Sequence, residues 1–231
     1  MSKVVILTGA GISAESGINT FRDSDGLWNN VDVKELATKE ALKKNRDNVI
    51  EFYNHRRAEI ANKEPNVAHK KLVELVNNND DIKLITQNVD DLFEKAGADN
   101  VIHLHGKITE VKCQNCGLTY DIGYKKQQDA FNGKCPVCFS KKIRPNIVMF
   151  GEPTPEYKYL YEDLKDCKVF VVIGTSGNVI DVDILADGIE HSLLNNLATS
   201  PAIDESKFEV VIHKPATEAI DEVIEFIKEN I

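Results

Sequence analysis

The chain has 231 residues, 42% hydrophobic and 28% charged, which suits a soluble globular protein with one large α/β domain, or one domain carrying a small insert. A net charge of −9 with no basic stripe argues against a nucleic-acid role, though it could attract a cationic protein tail. Apolar sequence starts directly after Met1-Ser2-Lys3, Ser2 removes a myristoylation signal, and no apolar run approaches the roughly 20 residues of a membrane helix. A soluble cytoplasmic protein, with no membrane partner and a monomer favoured, is the expectation.

Val4-Val5-Ile6-Leu7-Thr8 is a β-branched run of the kind that forms a strand covered on both faces. Gly9-Ala10-Gly11-Ile12-Ser13-Ala14 follows as Gly-x-Gly-x-x-Ala and leads into residues able to open a helix. A side chain at Gly9 or Gly11 would hold the backbone away from a pyrophosphate lying over helix N-terminal amides. The alternative is a strand-to-helix turn with no ligand. Residues 18–28 are polar and turn-rich, yet hold Phe21 and the only tryptophan, Trp28. They form a binding loop, or the aromatics pin the loop to the core. Val33 to Asn62 reads as helical with a break at 45–47, and Tyr53 and Arg56 then share a helix face. Spacing alone makes these an exposed tyrosine beside a solvated arginine.

After Pro65, Ala68 to Val76 reads as an amphipathic helix and Ile82 to Thr86 as a strand. Gln87, Asn88 and Asp90 lie at its carboxyl end, where open parallel sheets collect ligands. Val101 to Gly106 is a second short strand ending in His-Gly. His105 is a candidate general base, since imidazole titrates near neutrality and the glycine admits a substrate. In a regular strand His103 shares its face, and spacing does not choose between them.

Cys113-x2-Cys116 and Cys135-x2-Cys138 are two knuckles separated by residues 117–134. Without an export signal, this pattern reads as tetrahedral zinc, not disulfides, and four cysteines leave no coordination position for water. The metal is therefore structural, with Gly117 and Pro136 supplying the turns. Cys167 reads as a small buried hydrophobe. Residues 143–152 return to an extended segment. Lys168 to Ile173 is a core strand, and Gly174-Thr175-Ser176-Gly177 ends it in a second small-residue turn, complementary to the first. Residues 184–197 read as a helix leading into a short strand, Val210 to Ile212 as the last strand, and Thr217 to Lys228 as a closing helix. This alternation predicts a doubly wound parallel sheet with a zinc insert between its halves.

Residues 9–18 (Gly-Ala-Gly-Ile-Ser-x-Glu-Ser-Gly-Ile), Phe21-Arg22, Thr86 to Asp90, His105-Gly106, the paired cysteines, Phe150-Gly151-Glu152 and Gly174-Thr175-Ser176 occur in that order. Together they resemble the sirtuins, the NAD-dependent protein lysine deacylases, from residue 4 to about residue 226. The resemblance implies a Rossmann-like large subdomain at about 1–32, 66–108 and 145–231, with a smaller module of a helical insert, 33–65, and a zinc insert, 109–144. It implies that Gly9, Ala10, Gly11, Ser13 and Glu15 shape the pyrophosphate and ribose site of NAD+, joined by Gly174, Thr175 and Ser176, with Phe21 and Arg22 on a cofactor loop. Gln87, Asn88 and Asp90 would line the nicotinamide ribose, Asn196 and Ala216 would contact adenosine, and His105 would be the base in place of His103. Val148, Phe150, Asn178 and Val179 resemble the walls of an acyl-peptide cleft, where the substrate adds as a strand.

The implied reaction is attack of the acyl oxygen on the nicotinamide ribose, followed by His105-assisted attack of a ribose hydroxyl. Nicotinamide leaves in the first step, and water completes the release of free lysine and O-acyl-ADP-ribose. Tyr53, Arg56 and a small residue at Ala37 resemble the members that remove acidic acyl groups, since a guanidinium with a phenol can hold a carboxylate. Acylated-lysine proteins would be the partners, and succinyl-lysine would be cleaved better than acetyl-lysine. Ala198 stands where the family usually has an acidic residue, and Ile180-Asp181 replaces a common Tyr-Pro. Protein ADP-ribosyl transfer, a nicotinamide-dependent dehydrogenase and a non-catalytic zinc module are the alternatives. Nicotinamide release without NADH, and no mass gain on the target, would separate them.

Overall fold

The computed structural model describes residues 3–19 and 33–231; Phe21, Arg22 and Trp28 lie outside the described residues. β1 (Val4–Thr8) runs into a single-turn helix, α1 (Gly11–Ala14). The helical region comprises α2 (Val33–Leu36), α3 (Lys39–Lys44) and α4 (Arg46–Ala61). The expected break falls at Asn45, and a second, unexpected one falls at Ala37-Thr38. Thr38 is an N-cap: its backbone is extended and its Oγ1 accepts the Ala41 N–H at 3.1 Å.

Next come α5 (Val67–Asn77), β2 (Ile82–Thr86), α6 (Leu92–Lys95), β3 (Ile102–His103), β4 (Gly106–Cys113) and β5 (Thr119–Asp121). The chain closes with β6 (Ile143–Ile147), α7 (Tyr157–Leu164), β7 (Val169–Ile173), α8 (Val182–Ala186), β8 (His191–Asn196), β9 (Val210–His213) and α9 (Ala216–Glu229). Helix α7 has no counterpart in the sequence reading. The helix expected from residue 184 is the short α8, which starts two residues earlier and stops at Ala186.

Six strands form one parallel sheet in the order β3-β2-β1-β7-β8-β9. The chain starts in the middle, winds to one edge, returns and winds to the other, so its direction reverses between β1 and β7. Every residue of β1 and β7 is buried, as two covered faces require. Val4 and Ile6 pack with Leu72 of α5 and Ala219, Ile220 and Val223 of α9. Val5 and Leu7 face the other way, with Leu160 of α7 and Val182 of α8. Each such Val, Leu or Ile side chain contributes about 1.5–3 kcal/mol on burial. Cys167 is only half-buried at the edge of that second layer, where its thiol donates to the Val169 carbonyl at 3.0 Å.

A second, antiparallel sheet has the order β5-β4-β6. Residues 106–108 and 145–147 lie on β4 and β6, so these strands run across the points where the subdomains were divided. Helix α4 is fastened to this sheet by Arg57, which is fully buried and donates through Nε to the Ile108 carbonyl at 2.8 Å. Burial pulls its guanidinium down to about 10. The expected strand 101–106 is short: pairing in the large sheet stops at His103, and Gly106, at φ +81, turns the chain into β4. A Cβ at Gly106 would sit 1.9 Å from the Asn146 carbonyl oxygen.

Candidate active site

The two small-residue turns meet at the switch point of the sheet, the place where open α/β folds bind ligands. The glycines are needed there for a reason the sequence did not show. A Cβ on Gly9 would lie 2.6 Å from the Gly174 carbonyl oxygen, one on Gly11 2.6 Å from Gly174 Cα, and one on Gly174 2.6 Å from the Ile12 nitrogen. Only Gly174, at φ +68, also needs glycine for its backbone. Gly9 and Gly11 donate their N–H groups to the Ile173 and Gly174 carbonyls, both at 2.8 Å. These two amides are therefore committed to the neighbouring turn, and the glycines first let one turn nest in the other. The helix that follows is one turn long, shorter than the expected phosphate-capping helix.

Behind the turns lies a buried polar cluster. Asn88 Nδ2 donates to the Gly9 carbonyl at 3.0 Å and to Ser13 Oγ at 3.2 Å, and Ser13 Oγ donates to Asp90 Oδ2 at 3.0 Å. Asp90 Oδ1 accepts the Leu92 N–H at 3.2 Å, and burial pushes the carboxyl upward. His69 Nε2 lies 3.4 Å from Ser13 Oγ, and its Nδ1 meets Asn66 Oδ1 at 3.0 Å. Burial lowers that imidazole to about 4. Ser13 is thus a support for Asn88 and Asp90, and it does not line the cavity in front of them.

That cavity has a volume of about 940 Å³. Its floor includes Gly9, Ala10, Gly11, Gln87, Asn88 and Asp90, and the second turn contributes Gly174, Thr175 and Ser176. Gln87 Nε2 ties the two sides together by donating to Thr175 Oγ1 at 3.1 Å. Glu15, Asn196 and Ala216 line the far end. The Glu15 carboxylate holds the start of α9, accepting from Thr217 Oγ1 at 2.6 Å and Thr217 N at 3.1 Å. The Asn196 side-chain amide nitrogen is buried with no hydrogen-bond partner among the described residues, a donor that fits an acceptor brought by a ligand.

His105 and His103 separate as soon as the strand ends. His103 turns both ring nitrogens to oxygens, the Asn88 carbonyl at 2.9 Å and Glu94 Oε1 at 2.8 Å. Burial opposes ionisation of Glu94, but His103 and Lys107 outweigh it and hold the carboxyl at about 2. His105 instead lines the cavity. Its Nδ1 donates to the Gln87 carbonyl at 2.8 Å, and its Nε2 meets the Tyr157 hydroxyl at 2.9 Å. Burial lowers the imidazole, partly offset by the Gln87 bond. The sequence reading missed Tyr157, which stands on the unexpected α7.

The opposite wall comes from the smaller module. The break at Ala37-Thr38 pairs with Phe150: Phe150 N donates to the Ala37 carbonyl at 2.9 Å, and Lys39 N to the Phe150 carbonyl at 3.1 Å. Ala37, Val148 and Phe150 thereby reach the cavity, as do Tyr53 and Arg56 from α4. Tyr53 is 6% exposed, and burial raises its phenol to about 12. Neither side chain is solvated on an open face: Arg56 is 14% exposed and pairs with Glu59 Oε2 at 3.0 Å. Asn178 and Val179 form an exposed rim with Phe150. Glu152 braces the segment by accepting from both terminal nitrogens of Arg144, at 2.5 and 2.9 Å, and from the Met149 N–H at 3.0 Å.

The four Sγ atoms of Cys113, Cys116, Cys135 and Cys138 lie within 4.8 Å of one another, with close pairs at 3.5 and 3.7 Å. Zinc–sulfur bonds of about 2.3 Å in a tetrahedron give edges of about 3.8 Å, so the set fits zinc. Each knuckle closes alike, the Gly117 N–H on the Cys113 carbonyl at 2.9 Å and the Phe139 N–H on the Cys135 carbonyl at 3.0 Å. The left-handed residue of the second knuckle is Phe139, at φ +57, so Pro136 does not play the part that Gly117 plays in the first.

Residues 9–181 match the model of the Sir2 family. A Campylobacter jejuni NAD-dependent protein deacylase is 46% identical over 196 residues, 84% of this chain and 83% of that protein. A Shigella flexneri protein of the same name is 37% identical over 239 residues, 99% and 85% of the two chains. A solved Sir2 homologue–NAD complex superposes with a TM-score of 0.82 at 34% identity, covering 98% of this chain and 89% of that one. With a family match across most of its length and relatives this close over nearly all of it, this chain belongs to the Sir2 family.

Proposed function

We propose that the chain is an NAD-dependent protein lysine deacylase, acting on acetyl-lysine and more readily on lysine bearing a succinyl or malonyl group. The observation that carries this reading is a single cavity shared by the switch-point turns, His105 and the Tyr53–Arg56 face. Relatives named NAD-dependent protein deacylase support it.

NAD+ is a co-substrate here, and the residues fit it. The cavity, about 940 Å³, lies at the upper end of ligand-pocket sizes. Asn196 offers its buried amide, and Gln87, Asn88 and Asp90 sit at strand ends below His105. When bound, NAD+ supplies a ribose carbon from which nicotinamide can leave and to which an acyl oxygen can add. The chain's own part is to hold groups and move a proton. Asn88 is fixed at two points, so its side chain meets a ligand without reorganising. His105 keeps its proton on Nδ1, which leaves the Nε2 lone pair to accept one from a hydroxyl. An acyl carboxylate could take Glu59's place on Arg56, beside the Tyr53 phenol. Zinc would be held by the four cysteines with no open position, so it supplies architecture and no reaction step.

The test is a panel of acetyl-, succinyl- and malonyl-lysine peptides with NAD+, read for nicotinamide release. Succinyl and malonyl peptides should give the higher kcat/KM, and His105→Ala should lower turnover by about 10²–10⁴-fold with the fold intact. Near-normal turnover by that variant, or NADH formation, would overturn the reading.

A further inference from the structure

We propose that Asp181 gives the enzyme a preference for acyl-lysines that have an arginine or lysine close by in the same substrate chain. The inference rests on the deacylase reading and adds to it the charge of the substrate around the modified residue. A lysine that reaches His105 from outside leaves its main chain at the exposed rim, with Phe150 on one jaw and Asn178 and Val179 on the other. Among the described residues, the Val179 N–H and the Asn178 and Val179 carbonyls make no main-chain bond. This jaw therefore offers the open edge to which an extended peptide adds. Val179 is 50% exposed, Ile180 5%, and Asp181 is exposed again. That alternation puts Val179 and Asp181 on the outer side of the segment, with about 7 Å between their α-carbons.

The charge beyond this jaw has one sign. From residue 169 to 206 the chain carries six carboxylates, Asp181, Asp183, Asp187, Glu190, Asp204 and Glu205, and no lysine or arginine. Lys207 answers part of it: its Nζ donates to Asp187 Oδ1 at 3.0 Å, and Asp187, with Asp204 and Asp183, holds its ammonium above the usual lysine range. Glu205 and Glu190 meet His213 and His191. Asp181 has no ion pair or side-chain hydrogen bond among the described residues; it stands at the N-cap position of α8, yet its carboxylate caps no amide. The opposite jaw is closer to balance. There the Glu40 carboxylate comes within 4.0 Å of a Cβ built on Gly151, with Lys39 next to it in the chain. A guanidinium two residues along an extended substrate covers the distance to Asp181, since each residue advances about 3.3 Å. Both groups stay hydrated, so the attraction is modest and screened by salt.

The test uses the full zinc-loaded chain, NAD+ and peptides built on whichever acyl-lysine the panel above finds fastest. The two residues on each side of that lysine are set in turn to arginine, alanine or glutamate, and nicotinamide release is read. Arginine should raise kcat/KM over alanine by roughly 1.5- to 5-fold and glutamate should lower it by as much. The effect should fall on one flank only, because Asp181 lies to one side of Val179. It should sit in KM with kcat unmoved, and fade in roughly 0.5 M salt. Asp181→Asn should erase the arginine-to-alanine ratio and Asp181→Lys should invert it. Glu190→Gln, the same loss of charge past the end of α8, should keep it. A flat wild-type series, a ratio that survives Asp181→Asn, or one lost equally in Glu190→Gln overturns the proposal while the deacylase reading stands. No nicotinamide release from any peptide overturns that reading, and this one with it.

Discussion

The two walls of the cavity are held by different physics. On the sheet side, three glycines leave no room between two turns, and Asn88, Ser13 and Asp90 satisfy one another out of water. On the module side, Ala37 and Phe150 meet through one pair of main-chain bonds, and Arg56 meets Glu59 near solvent. The first wall has a single good arrangement. The second can exchange partners, which is what acyl selectivity requires.

Metal removal divides the two walls most sharply. Stripping zinc with a chelator, or making Cys135→Ser, should collapse β5-β4-β6, because structural zinc contributes on the order of 10 kcal/mol to folding of its site. The six-stranded parallel sheet should persist by circular dichroism while activity disappears. A single transition destroying both sheets together would mean the walls are one cooperative unit.

Gly174→Ala should have the next largest effect, at least about 3 kcal/mol of lost stability in urea unfolding, from a disfavoured positive φ and a backbone clash together. A loss under about 1 kcal/mol would show that the sheet-side wall yields after all. On the module side the loss should be one of preference. Arg56→Met should cost succinyl-lysine about 10–100-fold in kcat/KM, the worth of a charge-assisted bond, and acetyl-lysine little. Equal losses on both would remove Arg56 from acyl recognition. Glu59→Gln, which frees Arg56 of its internal carboxylate, should favour succinyl-lysine by a few-fold at most, as befits a partly exposed pair.

The sequence revealed most where the signal was local. The strand runs at Val4 and Val169 and the two Cys-x2-Cys pairs carry their reasons within a few residues. What it hid depends on distant partners. Ser13 reads as part of a ligand loop until Asp90, 77 positions away, is placed beside it. The glycines at 9 and 11 read as phosphate glycines until Gly174 is pressed against them. Helix α7 went unread, and with it the contact from Tyr157 to His105, 52 positions apart. One miss was avoidable: Thr38 followed by Lys-Glu-Ala-Leu is an ordinary N-cap signal. The choice of His105 over His103 was beyond spacing, since it turns on where β3 stops.

Three nested α-carbons also limit how such a chain can drift. An alanine at 9 or 11 meets the backbone of the opposite turn, and an alanine at 174 meets the backbone of the first, so no one of the three can change without the other turn moving. A compensating substitution has no side chain to shrink, because glycine already faces glycine. The two halves of the sheet, although joined through some 160 residues of chain between them, are therefore bound to a common history at this point. On these contacts alone, a change in one turn of the pair has to be matched by a shift in the other.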